Sequence, residues 1–263
     1  MKFVRLATIA TLSTTIFAGG AISAFADETR QVTTNGNIEF TPSTDEPEIV
    51  VPPVEEPDVE IEPEVPGTTG PLSIVKAATM NFGSQVISNQ DQTYNMVAER
   101  QQKTGTTGEE NKVPFISFAQ VSDTRGSNAG WDLKVSLSDF QAENTQNAVL
   151  RGAKVTLKDP QIQYTGNNQE LAPAAHANNL ELLPNSGAVS VMTAESSKGA
   201  GRSSVVWGNQ ADLDAQFEAD PKAPVTNNAI QLSVPGASAK DATTYTSTLT
   251  WELTTTPGSD VGA

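Results

Sequence analysis

The sequence predicts an all-β domain of many short antiparallel strands with long loops, built like a β-sandwich. Runs of alternating apolar and polar residues recur about every ten residues, and clusters of Gly, Asn and Pro separate them. Alternate residues of a strand line one face, so each such run buries one side only. An acidic, proline-rich stretch precedes the domain, and we expect that stretch to be disordered.

Residues 1–26 have the organisation of a secretory signal peptide. Lys2 and Arg5 form a positive start, a run without charge follows, and residues 24–26 read Ala-Phe-Ala, a small-residue cleavage pattern. An uncleaved membrane anchor is the alternative, although threonines and glycines interrupt the apolar run. We therefore expect cleavage after the signal, so that the exported chain starts at Asp27.

The charge and the amino-acid composition exclude several function classes. The chain has a net charge of −15, and residues 27–66 hold 12 acidic residues and one basic residue. This acidity argues against binding to nucleic acid and against attraction to anionic lipid. The chain has no cysteine, which excludes disulfides, thiol catalysis and thiolate metal sites. A packed core must therefore stabilise the exported chain.

Two segments precede the domain. Residues 27–40 carry an Asn-Gly pair between apolar residues, which is typical of a short strand or hairpin, and a disordered tail is the alternative. Residues 41–71 hold eight of the 16 prolines, mixed with acidic residues. Proline fixes φ and like charges repel, so we expect this second segment to be an extended linker.

The loop that precedes the first regular strand reads Asp-Thr-Arg-Gly at residues 123–126. Asp123 can accept hydrogen bonds from loop amides, and Arg125 can donate to a carboxylate or to carbonyls. Gly126 permits the tight return of the chain. A salt-bridged or capped β-turn explains these residues structurally, and the alternative is that Arg125 contributes to a ligand-binding patch.

The two most regular strands share the triplet Trp-any-Leu. Trp131 and Leu133 begin the first, and Trp251 and Leu253 lie in the last strand of the chain. In both strands the tryptophan continues a line of apolar residues of the same parity. A tryptophan in such a line is more often part of a core than a platform for a sugar, so we expect these residues to build the core.

Further strands are expected between these two, with helical turns as the exceptions. The candidate strands are 148–157, 161–164, 180–183, 188–194, 203–207 and 230–234. A turn or two of helix is expected in residues 209–220 and in residues 173–179. The two Trp-any-Leu strands are expected to lie close together, as neighbours in one sheet.

These motifs resemble the WxL-domain proteins of the cell surface of low-GC Gram-positive bacteria. The resemblance rests on both Trp-any-Leu strands, on the loop at 123–126, and on the opening run G-P-L-S-I-V-K-A-A-T-M-N-F-G that starts at Gly70. It covers residues 72–257 as one β domain and leaves residues 258–263 as a tail. The chain resembles a small, single-domain member of the family.

The resemblance implies a location and a set of partners. WxL domains are associated with non-covalent attachment to the cell wall through peptidoglycan or another wall glycan. The resemblance also implies assembly with other WxL proteins and with a membrane-anchored partner. Adhesion to host matrix proteins is a further alternative, although this chain shows no separate adhesive module. Direct wall binding and retention by a protein partner therefore both stay open.

No residue set in the sequence predicts catalysis, a metal or a cofactor. There is one histidine, no cysteine and no Gly-x-Ser-x-Gly motif, so no hydrolase can be recognised. That histidine, His176, is expected to be exposed, and the acidic series at 212–220 lacks the spacing of a calcium loop. If glycan binding uses an exposed aromatic residue, Trp207 is the candidate, beside Arg125. The prediction is a binding protein, not an enzyme.

Overall fold

The computed structural model of the protein describes residues 31–42 and 48–255, and its regular structure consists mainly of antiparallel strands. The all-β prediction is confirmed. The signal peptide and the C-terminal tail predicted at 258–263 lie outside the described residues. The strands are β1 (Val59–Glu60), β2 (Leu72–Lys76), β3 (Gln92–Val97), β4 (Glu99–Lys103), β5 (Lys112–Phe115), β6 (Ser117–Asp123), β7 (Trp131–Leu137), β8 (Lys154–Leu157), β9 (Gln161–Tyr164), β10 (Ala174–Ala175), β11 (Leu180–Leu182), β12 (Val189–Ala194), β13 (Gly201–Trp207), β14 (Thr226–Val234) and β15 (Leu249–Thr254); helix α1 is Gln210–Ala219, and 3-10 turns lie at Glu109–Asn111 and Gln169–Leu171.

The described strands form four antiparallel sheets. Three sheets have four strands each, in the orders β2-β6-β13-β9, β10-β12-β7-β15 and β11-β8-β14-β3, and a smaller sheet has the order β1-β4-β5. Every residue of β6 is buried, which is expected of a central strand that is covered on both faces. The sheet that contains β6 and β13 therefore lies in the middle of the domain.

The main core lies between the three four-stranded sheets. One cluster of buried residues contains Ala119 and Val121 of β6, Leu133 of β7 and Ile230 of β14. These strands come from distant parts of the chain. The first Trp-any-Leu strand contributes the fully buried Trp131 to the same cluster. Such burial is the dominant favourable term in folding, and in this chain no disulfide adds to it.

A second core lies on the other face of β6. Phe118 of β6, Phe115 of β5 and Leu213 of α1 pack there with Val50 and Val59. The last two come from the segment predicted as an extended linker. Residues 48–71 are thus in contact with the β domain, where Val50 and Val59 bury apolar surface. The high proline and acid content of the segment concealed this contact.

The segment at 48–51 is also held by polar contacts to the central sheet. Ser122 donates to Glu48 Oε1 at 2.6 Å, and Arg202 forms an ion pair with Glu48 at 3.3 Å. The side chain of Gln120 bonds both the N–H and the carbonyl of Val51, at 3.1 and 2.8 Å. These bonds satisfy polar groups of β6 and β13 that would otherwise be buried without partners.

The two helical expectations had different outcomes. Helix α1 lies within the expected range 209–220, and the side chain of Asn209 caps it by accepting from the N–H of Ala211 at 2.9 Å. The expectation of helix at 173–179 is wrong, because Ala174–Ala175 pairs with β12 as strand β10. Two alanines favour a helix locally, and the free edge of β12 overrides that preference.

Residues 31–39, taken by themselves, contain neither strand nor helix. Their side chains are exposed, with Val32 at 88% and Ile38 at 78%. The strand or hairpin predicted around the Asn-Gly pair is absent from this described stretch. Among the described residues of the chain, no helix is long and apolar enough to cross a membrane.

Candidate functional site

The two Trp-any-Leu strands are neighbours in one sheet, as predicted. Strand β15 pairs with β7 in antiparallel register, which places Leu253 opposite Leu133 and Trp251 opposite Val135. Strand β7 is central and its Trp131 and Leu133 have no exposed surface. Strand β15 lies at the edge, and its alternate residues are only partly buried. The structure thus brings all four motif residues onto one pair of strands.

Trp131 lies under two loops at the start of β7. Its indole Nε1 donates to the carbonyl of Gly199 at 3.0 Å. Gly199 and Gly130 both have positive φ, and a Cβ on Gly130 would lie 2.8 Å from the carbonyl oxygen of Glu195. A Cβ on Gly199 would lie 2.8 Å from the indole Nε1. Gly199 thus lets one loop pack on the indole, Gly130 lets the two loops pack on each other, and Trp131 is closed off from solvent.

Asp123 and Arg125 close the neighbouring loop. The guanidinium donates to both carboxylate oxygens, from Nε at 2.9 Å and from Nη2 at 2.7 Å, and Nη2 also donates to the carbonyl of Gly130 at 2.9 Å. This hydrogen bonding to Asp123 raises the pKa of Arg125 above its ordinary value. Gly126 turns the chain with φ at +70°. The donors of Arg125 that face Asp123 and Gly130 hold the loop that covers Trp131.

Trp207 and His176 lie in the interior. The expectation that His176 is exposed is wrong, and Trp207 is not available as the exposed aromatic residue that glycan binding would use. Trp207 has no exposed surface, and His176 is 5% exposed. The indole of Trp207 donates to Nε2 of His176 at 2.9 Å, and its ring lies 6.4 Å from that of Trp251. Neighbouring alanines and asparagines made His176 look polar in sequence, but β10 carries it beneath the sheet that contains β12.

The burial of His176 sets its protonation. Desolvation lowers the pKa of the imidazole below its ordinary value of 6.5. Because Nε2 accepts from Trp207, the neutral ring carries its proton on Nδ1, which lies 2.7 Å from the carbonyl of Ala177. A buried neutral histidine with both nitrogens occupied is a structural link between β10, Trp207 and, through Trp207, the edge strand β15.

A large open cleft lies at the other end of the β7–β15 pair; we call it the sandwich cleft. Its volume is about 900 Å³. Edge strands β3 and β15 belong to different sheets, and both contribute to the lining, through Tyr94 and Leu249. Buried core residues form the floor, and the irregular segments 80–87 and 240–247 form the rim. The lining residues of the floor are Leu137, Phe140, Leu150, Val155, Leu232 and Val234.

The rim segment at 240–247 is held rigidly by its own polar contacts. Asp241 accepts from the N–H of Asn147 at 2.8 Å, from its Nδ2 at 2.7 Å, and from the hydroxyl of Thr145. These hydrogen bonds lower the pKa of Asp241 to about 2. Tyr245 donates to the carbonyl of Asn147 at 2.7 Å, and Lys240 donates to three carbonyls. These contacts tie residues 240–245 to residues 145–147 and to neighbouring backbone carbonyls.

A smaller polar cleft, of about 400 Å³, lies beside the second core. There Lys76 forms a buried ion pair with Glu99 at 2.9 Å and lies 4.4 Å from the ring centre of Phe118. Burial raises the pKa of the Glu99 carboxyl. Within the described ranges, no group of three or more His, Cys, Asp or Glu side chains is placed to hold a metal ion.

Sequence reasoning found the closed end of the β7–β15 pair and missed the open end. Asp123, Arg125 and Trp131 were singled out, and the structure brings them together around one buried indole. The sandwich cleft was missed, because its floor consists of ordinary core residues and its rim of Thr, Ser and amide residues. The one local signal was Val86-Ile87, two apolar residues in a stretch otherwise typical of a loop.

Comparison with known proteins gives one match. The family model described as "WxL domain surface cell wall-binding" matches residues 27–257. Neither the curated proteins nor the solved structures contain a match to the chain.

Proposed function

Because the chain belongs to the WxL family of surface, cell-wall-binding domains, we propose that it is a non-catalytic protein held on the Gram-positive wall by direct, non-covalent binding of its domain to peptidoglycan. The observation that carries the proposal is the extent of the family match, residues 27–257, which includes every described strand. Wall binding is thus a property of the β domain as a whole. Export through residues 1–26, with cleavage after Ala26, would place the domain at the wall.

The burial of the motif residues supports a division of labour within the domain. Trp131 and Leu133 have no exposed surface, and Asp123 is 4% exposed, so a wall polymer cannot reach them in the folded protein. In this proposal the Trp-any-Leu strands and the loop at 123–126 stabilise the fold, and exposed surfaces elsewhere contact the wall. Loops are the usual hosts of such contacts.

The test is sedimentation of the chain, residues 27–263, with purified sacculi from which proteins have been removed. The proposal expects the protein in the pellet, and release by an excess of soluble muropeptides. Salt is a useful second variable, because contacts between rings and neutral sugars change less with ionic strength than charge pairs do. A protein that stays in the supernatant at low and high salt contradicts direct binding.

The second candidate is a subunit of a surface complex, retained by other WxL proteins and a membrane-anchored partner. The outer edge of β15 favours it: no described strand pairs with that edge, and an open edge is a template for a strand from another protein. Adhesion to host matrix proteins would use the same kind of surface. Retention on intact cells, without binding to bare sacculi, would select this candidate.

A further inference from the structure

We propose that the sandwich cleft is the glycan-binding site of this protein, and that it recognises the acetamido group of an N-acetylated hexosamine. The inference deepens the proposed function, since it names the place and the chemistry of wall binding. It rests on the cleft's size and lining, on unpaired polar groups at its rim, and on the internal hydrogen bonds that engage the two charged residues of the lining, Lys240 and Asp241.

The size and the floor suit a ligand of one or two sugar rings. The cleft's volume of about 900 Å³ falls within the range of about 300–1,000 Å³ usual for small-ligand sites. Tyr94, Tyr245 and Leu249 are partly exposed above a buried apolar floor. Sugar rings and acetamido methyl groups have apolar faces, which gain free energy when they leave water against such side chains.

The rim supplies unpaired amide and hydroxyl groups. The Oδ1 of Asn81 accepts from the N–H of Gly83, which leaves its Nδ2 donor without a partner. Gln85 donates from Nε2 to the carbonyl of Phe82, which leaves its Oε1 acceptor open. The hydroxyls of Thr243 and Thr244 bond no other described group. An acetamido group needs one donor for its carbonyl and one acceptor for its N–H, and both kinds line the cleft.

The two charged side chains of the rim have their hydrogen bonds filled within the protein. Lys240 donates to the carbonyls of Ser88, Ser238 and Pro235, and Asp241 is saturated by Thr145 and Asn147 as described above. The sandwich cleft therefore offers a ligand mainly dipoles and apolar surface, because the hydrogen-bonding groups of these two charged side chains are already engaged. A neutral sugar fits that chemistry better than a phosphate polymer or the carboxylates of a stem peptide.

Two exposed apolar side chains stand at the mouth. Val86 is 89% exposed and Ile87 is 53% exposed, and both line the cleft. Exposed apolar residues beside a concave site are typical of a ligand contact. They belong to the irregular segment between β2 and β3, so they can cover a bound sugar without disturbing either sheet.

The site is separate from the Trp131 region. Trp131 and Leu137 are the first and last residues of β7, and a strand of that length spans about 20 Å. Substitutions at the mouth can therefore test ligand binding without altering the residues that hold the motif together.

The experiment compares two neutral tetrasaccharides that differ at the acetamido position. Chitotetraose carries four acetamido groups, and cellotetraose carries hydroxyls on the same β-1,4 backbone. Titration of the purified, exported chain is expected to show at least about fivefold tighter binding of chitotetraose, since two hydrogen bonds are at stake. Amide NMR shifts should centre on residues 80–87 and 240–247. Equal affinity for the two sugars, or shifts confined to another surface, overturns the proposal.

Matched variants make the same test on the protein. The double substitution V86S/I87S removes the apolar mouth, and N81D removes the Nδ2 donor while keeping the oxygen that accepts from Gly83. Each is expected to weaken chitotetraose binding at least about fivefold with an unchanged melting temperature. The control L171S/L183S removes two exposed leucines, 40% and 45% exposed, that lie outside the cleft, and should bind like the parent.

Sacculus binding then separates this inference from the proposed function. If the parent sediments with sacculi and the mouth variants sediment equally well, the wall is bound elsewhere and the inference fails while the function stands. If the parent does not sediment with sacculi but binds chitotetraose in the cleft, the proposed direct wall binding is contradicted and the glycan-binding site is supported. Loss of both in the mouth variants, with the control unaffected, supports both.

Discussion

The two Trp-any-Leu strands have the same triplet and pair with each other, yet they occupy different environments. Strand β7 is central in its sheet, and Trp131 is fully buried with its indole N–H bonded to Gly199. Strand β15 is at the edge, and Trp251 is partly exposed with its ring against Trp207. The first motif is thus buried inside the domain, and the second lies on the edge strand and is partly exposed to solvent.

The difference shows how a repeated motif can divide between two structural roles. Trp131 fixes the loops at 123–130 and 195–199, because its burial requires both to close over it. Trp251 and Leu253 cover the apolar face of the β7 region from one side only. Loss of the first should affect the whole domain, whereas loss of the second should affect mainly the edge.

The largest expected effect is the stability difference between Trp131→Ala and Trp251→Ala. Truncation of a fully buried tryptophan costs about 3–5 kcal/mol of unfolding free energy, and here it also leaves the Gly199 carbonyl without its donor. Truncation of the partly buried Trp251 is expected to cost about 1–2 kcal/mol. Urea unfolding followed by far-UV circular dichroism measures both values.

The same pair tests the role of the motif in wall binding. In the proposed function Trp251 acts through the fold, so the variant should lose wall binding only to the extent that it loses folded protein. A Trp251→Ala protein with a cooperative melt near the parent's that nevertheless fails to bind sacculi would place Trp251 in the ligand site instead. Equal destabilisation by the two substitutions would refute the distinction between the strands.

A glycine pair sharpens the comparison at the next level of effect. Gly199 and Gly126 have nearly equal φ, +74° and +70°. The left-handed backbone therefore destabilises an alanine at either position by a similar amount, about 1 kcal/mol. A Cβ at Gly199 would also overlap the Cβ of Ala194 and lie 2.8 Å from Trp131 Nε1, whereas one at Gly126 meets nothing within 4 Å.

We therefore expect Gly199→Ala to cost about 1–3 kcal/mol more than Gly126→Ala, measured as the difference in unfolding free energy. The backbone cost is the same in the two variants, so the difference in unfolding free energy measures how tightly the loop packs on Trp131. A difference near zero would mean that the loop moves away at little cost, and that Trp131 is less enclosed than the structure indicates.

The fold class and the existence of the two motif strands could be predicted because they depend on local periodicity, whereas the pairing of the strands was expected only from their shared triplet. Alternation in β7 and β15 identifies both strands and their buried faces from a few residues each. The loop at 123–126 was equally accessible, since an aspartate and an arginine two residues apart can bond within one turn. Each of these strands, and the loop, depends on residues that are close together in the chain.

The remainder depends on contacts between distant residues. His176 looked exposed because its neighbours are small or polar, and only the β10–β12 pairing takes it inside. Residues 48–61 looked like a spacer because composition does not reveal that Val50 and Val59 meet the far face of β6. The sandwich cleft follows from the order of strands in two sheets, which periodicity does not contain.

A pH effect should reach the edge strand through His176. Its folded pKa is lowered, so between the unfolded value near 6.5 and the folded value the unfolded chain binds more protons. The folded state favours the neutral imidazole, so the free energy of unfolding is highest above about pH 6.5. It decreases as the pH falls from there towards the folded pKa. The slope is at most about 1.4 kcal/mol per pH unit.

The measurement compares the parent with His176→Gln, in which an amide oxygen can accept from Trp207 without titrating. Unfolding free energies at several pH values between 7.5 and 5 should fall more steeply for the parent, and the difference isolates His176 from the carboxylates. Because Trp207 touches Trp251, tryptophan fluorescence should report the same transition. Parallel curves for the two proteins would show that the imidazole does not resist protonation.

The smallest effect is expected on the outer face of β15, where the edge strand should tolerate change best. Glu252 is exposed and lies directly opposite Lys134 of β7, whose ammonium forms an ion pair with Asp132 at 3.3 Å. Glu252→Lys therefore places a second positive charge opposite Lys134 in place of a negative one. Exposed charge pairs contribute about 0.2–1 kcal/mol, and the loss should shrink at high salt.

The contrast is Asp132 on the same face of β7, which has no exposed surface and accepts from Ser190 and Thr193, both at 2.8 Å. Asp132→Ala leaves two buried hydroxyls without their acceptor and Lys134 without its ion-pair partner. It should cost at least twice as much and depend less on salt, as measured by urea unfolding at two ionic strengths. Similar, salt-sensitive losses at both positions would mean that the centre and the edge of this sheet do not differ.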